Sequence, residues 1–185
     1  MIKYLSYAET LATYTIENFY DENEFLFYFS DSSKNELIAN KKEIFDNVIP
    51  SGNALIAEAL LTLGKILEVQ LFEEIALSMI EKVRPLFTVN PEYMAKWASL
   101  ALKASLPSFE IVVIGKEYIN FSKEINNTTI QNFVICASSE QEKIPLFKDK
   151  LGKEGETLIY ICYDKTCELP VNSVDLALQI INKFA

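Results

Sequence analysis

Lys42-Glu43-Ile44-Phe45-Asp46-Asn47-Val48-Ile49-Pro50-Ser51-Gly52-Asn53 runs directly into Ala54 to Leu67, a segment that is apolar on almost every side. Pro50 fixes one backbone dihedral, Ser51 and Asn53 are residue types that cap helices, and Gly52 tolerates close backbone approach, so a helix is expected to begin at 52 to 54. Its polar positions, Glu58, Thr62 and Lys65, form one narrow stripe, while Leu55, Ile56, Leu60, Leu61, Leu63, Ile66 and Leu67 cover the rest. A helix of that kind needs partners on several sides, which makes this stretch the centre of a helical core with a polar turn at its mouth.

Outward from it, more helices follow. Tyr4, Leu5, Ala8, Leu11, Ala12, Thr15, Ile16 and Phe19 recur with the spacing of one helical face, and that helix is expected to end near Asp21-Glu22-Asn23. Glu24 to Ser30 reads as a short aromatic strand buried on both faces, and the polar run from Asp31 through Glu43 as a loop. Leu71 to Val83 places Phe72, Ile75, Ala76, Met79, Ile80 and Val83 on one face, an outer helix ended by Pro85. Asn90-Pro91-Glu92 has the cap, first-turn proline and acid that open another, which carries Tyr93, Met94, Trp97, Leu100 and Ala101 and stops before Pro107.

After Pro107 the pattern changes to short β-branched runs, Glu110 to Gly115, Asn132 to Ala137 and Thr157 to Tyr163. A helix near 116 to 125 lies between the first two, and Asn172-Ser173-Val174-Asp175 caps a last one carrying Leu176, Leu178, Ile180, Ile181 and Phe184. The expected fold is therefore mainly α with a small α/β part: helical hairpins over residues 1–107 and a compact α/β subdomain over 108–185.

Composition narrows the function. The 185 residues are half hydrophobic, enough for a sizeable core, and the net charge of −9 opposes binding to phosphate backbones or anionic lipid. Nucleic acid and membrane are not expected partners, and without an apolar leader at Met1-Ile2-Lys3-Tyr4 the chain is expected to be cytoplasmic. The absence of histidine removes Ser-His-Asp and Cys-His machinery and the common zinc sites, so any acid or base must be Asp, Glu, Lys, Tyr or Cys. No cofactor or metal is expected: Gly115 follows a strand but lacks the Gly-x-Gly-x-x-Gly pattern. The odd count of three cysteines, Cys136, Cys162 and Cys167, favours reduced thiols, with a redox pair or half a metal site at Cys162 and Cys167 as the alternatives.

Two readings of the central stretch stay open. Lys42, Glu43 and Asp46 can meet a ligand at the mouth of a bundle, with Ser51, Gly52 and Asn53 offering N–H groups or binding hydroxyls; equally, the first three can form a salt-bridged loop pinned to the core and the last three a helix cap. The aromatics Phe25, Phe27, Tyr28 and Phe29 suit either a sugar platform or a core strand.

The order of Glu36-Leu37-Ile38, the Lys42 to Asn53 segment, Glu110-Ile111-Val112-Val113-Ile114-Gly115, Ile159-Tyr160-Ile161-Cys162 and Cys167-Glu168-Leu169-Pro170-Val171 resembles the C-terminal part of the thioredoxin-domain-containing proteins of the spermatogenesis-associated family, over about residues 15 to 172. The resemblance implies part of an α/α toroid similar to six-hairpin glycosidases and sugar epimerases, followed by an α/β tail. It departs where the family has a glycine pair and this chain Phe25-Leu26, and where the family has an arginine and this chain Asn40. The family's thioredoxin domain and first hairpins have no counterpart here, so the chain is expected to be a fragment or reduced relative. Two functions follow as expectations. One is a structural or interaction module without catalysis alone, associating with itself or with the missing N-terminal part. The other is a carbohydrate-acting site with Glu43 or Asp46 as acid or base and Ser51 and Asn53 on hydroxyls.

Overall fold

A computed structural model describes residues 2–31, 41–128, 132–163 and 166–184. About half of the chain is helical and a small mixed sheet accompanies the helices, so the protein is mainly α with an α/β part. It divides into two compact units, 1–64 with 69–102, and 65–68 with 103–185. Among the described residues no helix is long and apolar enough to cross a membrane. The Glu36-Leu37-Ile38 motif, Asn40 and most of the polar run before Lys41 lie outside the described residues.

The first unit opens with α1 (Ile2–Phe19), whose apolar residues divide between two faces instead of sharing one. Ala12 is buried and Leu5, Ala8 and Ile16 are partly covered, while Tyr4 and Leu11 stand exposed with Tyr7 and Tyr14. The expected seven-residue strand is also corrected. Two-residue strands β1 (Tyr20–Asp21) and β2 (Leu26–Phe27) form an antiparallel hairpin, Tyr20 opposite Phe27. The Phe25 N–H donates to Asp21 O at 2.7 Å and Phe25 adopts φ 57°, so the turn takes that residue out of the strand and exposes it. Only Leu26 and Phe27 of the aromatic run are buried; Phe29 faces solvent.

α2 (Gly52–Leu67) buries Asn53, Ala54, Ala57, Leu60, Leu63 and Gly64, while Leu55 is exposed, so the helix is covered on one broad face and not all round. Its small residues matter as much as its leucines, because alanine and glycine let neighbouring backbone approach. A Cβ on Gly64 would stand 2.5 Å from Glu73 Cγ and 3.3 Å from Val69 O, so glycine is required there. Glu68 at φ 53° ends the helix, and Val69 N donates back to Gly64 O.

α3 (Gln70–Val83) buries the six residues its periodicity picks out, Phe72, Ile75, Ala76, Met79, Ile80 and Val83. A short helix α4 (Leu86–Val89), unmarked in the sequence, comes next. Asn90-Pro91-Glu92 then opens a single 3-10 turn over Pro91–Tyr93 in place of the long helix, and Asn90 makes no side-chain cap; its carbonyl accepts from Tyr93 N. The long helix α5 begins at Ala95 and ends at Ser105, with Trp97 and Leu100 buried.

In the second unit, strands β3 (Phe109–Ile114), β4 (Phe133–Ser138), β5 (Leu158–Tyr163) and β6 (Thr166–Cys167) form one sheet in the order β4-β3-β5-β6. β3 runs parallel to β4, with α6 (Tyr118–Asn126) in the crossover, and antiparallel to β5. One face, through Phe109, Ile111, Val113, Ile159 and Ile161, packs with Ile125 of α6 and with Val174, Ala177 and Ile181 of α7 (Val174–Ile181). Val112 and Ile114 on the other face are buried too, and a 3-10 turn at Pro145–Phe147 lies against β3. Burial on both faces explains why β3 reads as an unbroken apolar run from Ile111 to Ile114. Ser173 caps α7, its side chain accepting from Leu176 N.

The cysteines depart from the expectation of reduced thiols. Cys162 and Cys167 are joined in a disulfide, because the β5–β6 hairpin sets them directly opposite one another with Cα atoms 3.9 Å apart. Their five-residue separation hides that pairing, since only the antiparallel register of β5 with β6 brings the two positions together. Cys136 is free and buried, and burial pushes its thiol up to about 11.

Candidate functional site

The polar turn ahead of α2 is held by its own side chains. Ser51 precedes the helix, with its hydroxyl accepting from Ala54 N at 3.3 Å and its carbonyl from Leu55 N. The buried Asp46 carboxylate places one oxygen 2.9 Å from Ser51 N and the other 2.7 Å from Lys96 N, so it joins the start of α2 to the start of α5. Asp46 N donates to Tyr93 O, and the indole N–H of Trp97 donates to Ile44 O at 2.8 Å. Across the same pair of helices Lys96 and Glu58 form an ion pair at 2.7 Å.

Asn53, in the first turn of α2, does not use its side chain as a cap. Its Oδ1 accepts from Phe27 N at 2.7 Å, and Nδ2 donates to Phe27 O at 3.0 Å and to Glu43 O at 2.9 Å. The carboxamide thus meets β2 as the peptide unit of a third strand would, satisfying both main-chain groups of a buried residue.

Lys42 is drawn away from Glu43 and Asp46. Its ammonium sits 2.5 Å from Asp21 Oδ2 and 4.4 Å from the centre of the Tyr28 ring, while the Tyr28 hydroxyl donates to the same carboxylate oxygen at 2.6 Å. The Lys42 hydrogen bond, then that of Tyr28, hold the Asp21 carboxyl well below the usual carboxylate range. The same bond to Asp21 raises the Tyr28 phenol above its ordinary value.

Beside this network lies an open cleft of about 250 Å³. Phe19, Phe27, Tyr28 and Phe29 contribute its aromatic wall; Glu43, Gly52 and Asn53 contribute the polar edge, with Thr15 and Ile56 completing it. Of the six residues singled out in the sequence, the structure therefore brings Glu43, Gly52 and Asn53 to a common concavity. Asp46 and Ser51 hold the helix start, and Lys42 belongs to Asp21. Gly52 is not in a tight approach: a Cβ there would lie 3.7 Å from Glu43 Oε2, an ordinary contact. Asp21, Phe19 and Trp97 escaped the sequence reading as parts of this region; they reach it from other elements, and no local spacing links them to Lys42 or Ile44. Among the described residues no three His, Cys, Asp or Glu side chains converge in a way that would hold a metal ion.

No known protein-family model matches the chain, and no curated protein matches it.

Proposed function

We propose that this chain is a structural and interaction module, the closing hairpins of an α/α toroid of the six-hairpin glycosidase-like kind with an α/β tail, related to the C-terminal part of the thioredoxin-domain-containing spermatogenesis-associated proteins. It works without catalysis of its own, by covering exposed helix faces with another protein surface, a second copy or the N-terminal part of that architecture. The observation that carries the non-catalytic reading is Asp46: both of its carboxylate oxygens accept main-chain N–H groups inside the fold. Glycoside chemistry of the usual kind needs two free carboxyls, about 5 to 9.5 Å apart depending on stereochemistry. With Asp46 committed to Ser51 and Lys96, Glu43 is the member of the pair that faces the cleft.

The test is to incubate the purified chain with a panel of nitrophenyl glycosides and, by NMR, with N-acylated amino sugars. The expected result is no turnover that depends on Glu43. Hydrolysis or epimerisation abolished by Glu43→Gln would overturn the reading.

The aromatic wall favours a second reading, binding of a small carbohydrate without turnover, with a ring stacked on Tyr28 or Phe29 and hydroxyls against Glu43. Titration with mono- and disaccharides followed by NMR tests it. Shifts confined to residues of the cleft and lost in Phe29→Ala support it; no shift at millimolar sugar removes it.

A further inference from the structure

Tyr4, Tyr7, Leu11 and Tyr14 stand in a row along α1, 76%, 55%, 65% and 50% exposed. Their spacing of three, four and three residues is the seam of a coiled coil, and it lies beside the face, through Leu5, Ala8, Ala12 and Ile16, by which α1 joins its own unit. A stripe of four large apolar side chains on a helix about 27 Å long is more than scattered surface hydrophobicity. Resting on the interaction reading above, we infer that this stripe docks against the same stripe of a second copy, the two α1 helices lying antiparallel about a two-fold axis near Glu9.

The sequence of the stripe decides the orientation. Reversal about position 9 exchanges 4 with 14 and 7 with 11, so an antiparallel pair stacks Tyr4 on Tyr14 and Tyr7 on Leu11, each layer occurring twice by symmetry. Every ring meets a ring or a leucine, and each phenol can turn to the wet rim. Lys3 and Glu17, both exposed, stand at equivalent positions along one flank of the stripe, two seven-residue repeats apart with Thr10 between them. In an antiparallel pair such flanking positions face their counterparts, so Lys3 of each helix meets Glu17 of the other. A parallel pair would instead set this flank against the opposite flank of the partner, Lys3 near Ala8 and Thr10 near Thr15, and would form no such ion pair. Charge complementarity thus selects a second copy of this helix in one direction. One helix pair buries a modest area, so the dimer is a weak one, in the micromolar range.

Sedimentation velocity from low micromolar to sub-millimolar concentration tests this on the full chain. Wild type is expected to pass from monomer to dimer. Tyr7→Ser with Leu11→Ser, both at exposed sites and so compatible with an unchanged fold by circular dichroism, should remain monomeric. Lys3→Glu or Glu17→Lys alone should weaken the dimer by about three- to tenfold, since each sets two like-charge pairs in contact. The double exchange Lys3→Glu with Glu17→Lys should restore wild-type affinity. A wild-type monomer at all concentrations, a dimer indifferent to the serine changes, or a double exchange no better than the singles would each overturn the inference. Those outcomes leave the non-catalytic reading standing, because that reading fails only on Glu43-dependent sugar turnover.

Discussion

Replacing Asn53 by alanine removes three hydrogen bonds at once while leaving a good helix former in α2, so the loss reports on the carboxamide bridge alone. The N–H and C=O of Phe27 are buried with their residue, and each group left without a partner costs about 1–2 kcal/mol. Glu43 O lies at the edge of the open cleft, where water can replace Nδ2, so its loss is worth about 0.5–1 kcal/mol. The sum, about 2.5–5 kcal/mol, is a large share of the roughly 5–15 kcal/mol that holds a typical domain together. Urea unfolding followed by fluorescence reads it directly, because Trp97 is the single tryptophan, fully buried and bonded to the same loop. Asn53→Asp supplies the internal control. It retains an acceptor for Phe27 N but turns a carboxylate toward two carbonyls, so it should be less stable than Asn53→Ala at neutral pH. Burial against carbonyls raises that acid's folded pKa, so the variant should regain stability as pH falls toward 4, where a protonated carboxyl donates again. A loss below about 1 kcal/mol in Asn53→Ala, or an Asn53→Asp variant as stable as wild type, would refute the bridge as a determinant of the fold.

Four further outcomes follow from the same structure. Gly115, at φ 137°, has no space for a Cβ, which would lie 2.5 Å from Glu156 O; Gly115→Ala should cost about 2–4 kcal/mol in thermal or urea unfolding, whereas Gly155→Ala, which meets nothing within 4 Å, should cost only the strain of its own positive φ. Asp21 has a folded pKa below its ordinary value, so the stability it contributes is present above about pH 4 and is lost as pH falls through and below that point; Asp21→Asn should flatten the acid limb of the unfolding midpoint between about pH 5 and 2. Thiol titration of protein unfolded without reductant should find Cys136 alone, and three thiols there would refute the Cys162–Cys167 bond. Reducing that bond should lower stability by about 2 kcal/mol, the closure entropy of so short a loop.

Most of what can be read locally in this chain was legible without the structure. Leu71 to Val83 announces α3 because a 3.6-residue period and one buried face are properties of adjacent letters, and the runs at 110–115, 132–137 and 157–163 announce the strands observed at 109–114, 133–138 and 158–163 because they too are local. The Ser173 cap is likewise local. Periodicity identified apolar residues in α1 but assigned them to one face, since it counts hydrophobic letters and not the neighbours that cover them; two of those letters, Tyr4 and Leu11, were left for solvent or a partner. The aromatic run at 25–29 misled in the same way, because its burial depended on a turn closed by Asp21 O.

The fate of the polar turn belonged to tertiary structure. Lys42, Glu43 and Asp46 stand within five positions and look like one cluster, yet Asp21 captures the first, Ser51 and Lys96 capture the last, and only Glu43 reaches the cleft. Cys162 and Cys167 joined because a hairpin set them opposite each other. Letters determine which residues are polar, apolar or helix-forming; which partner satisfies each buried polar group depends on chains that meet only after folding, so it cannot be written in local spacing.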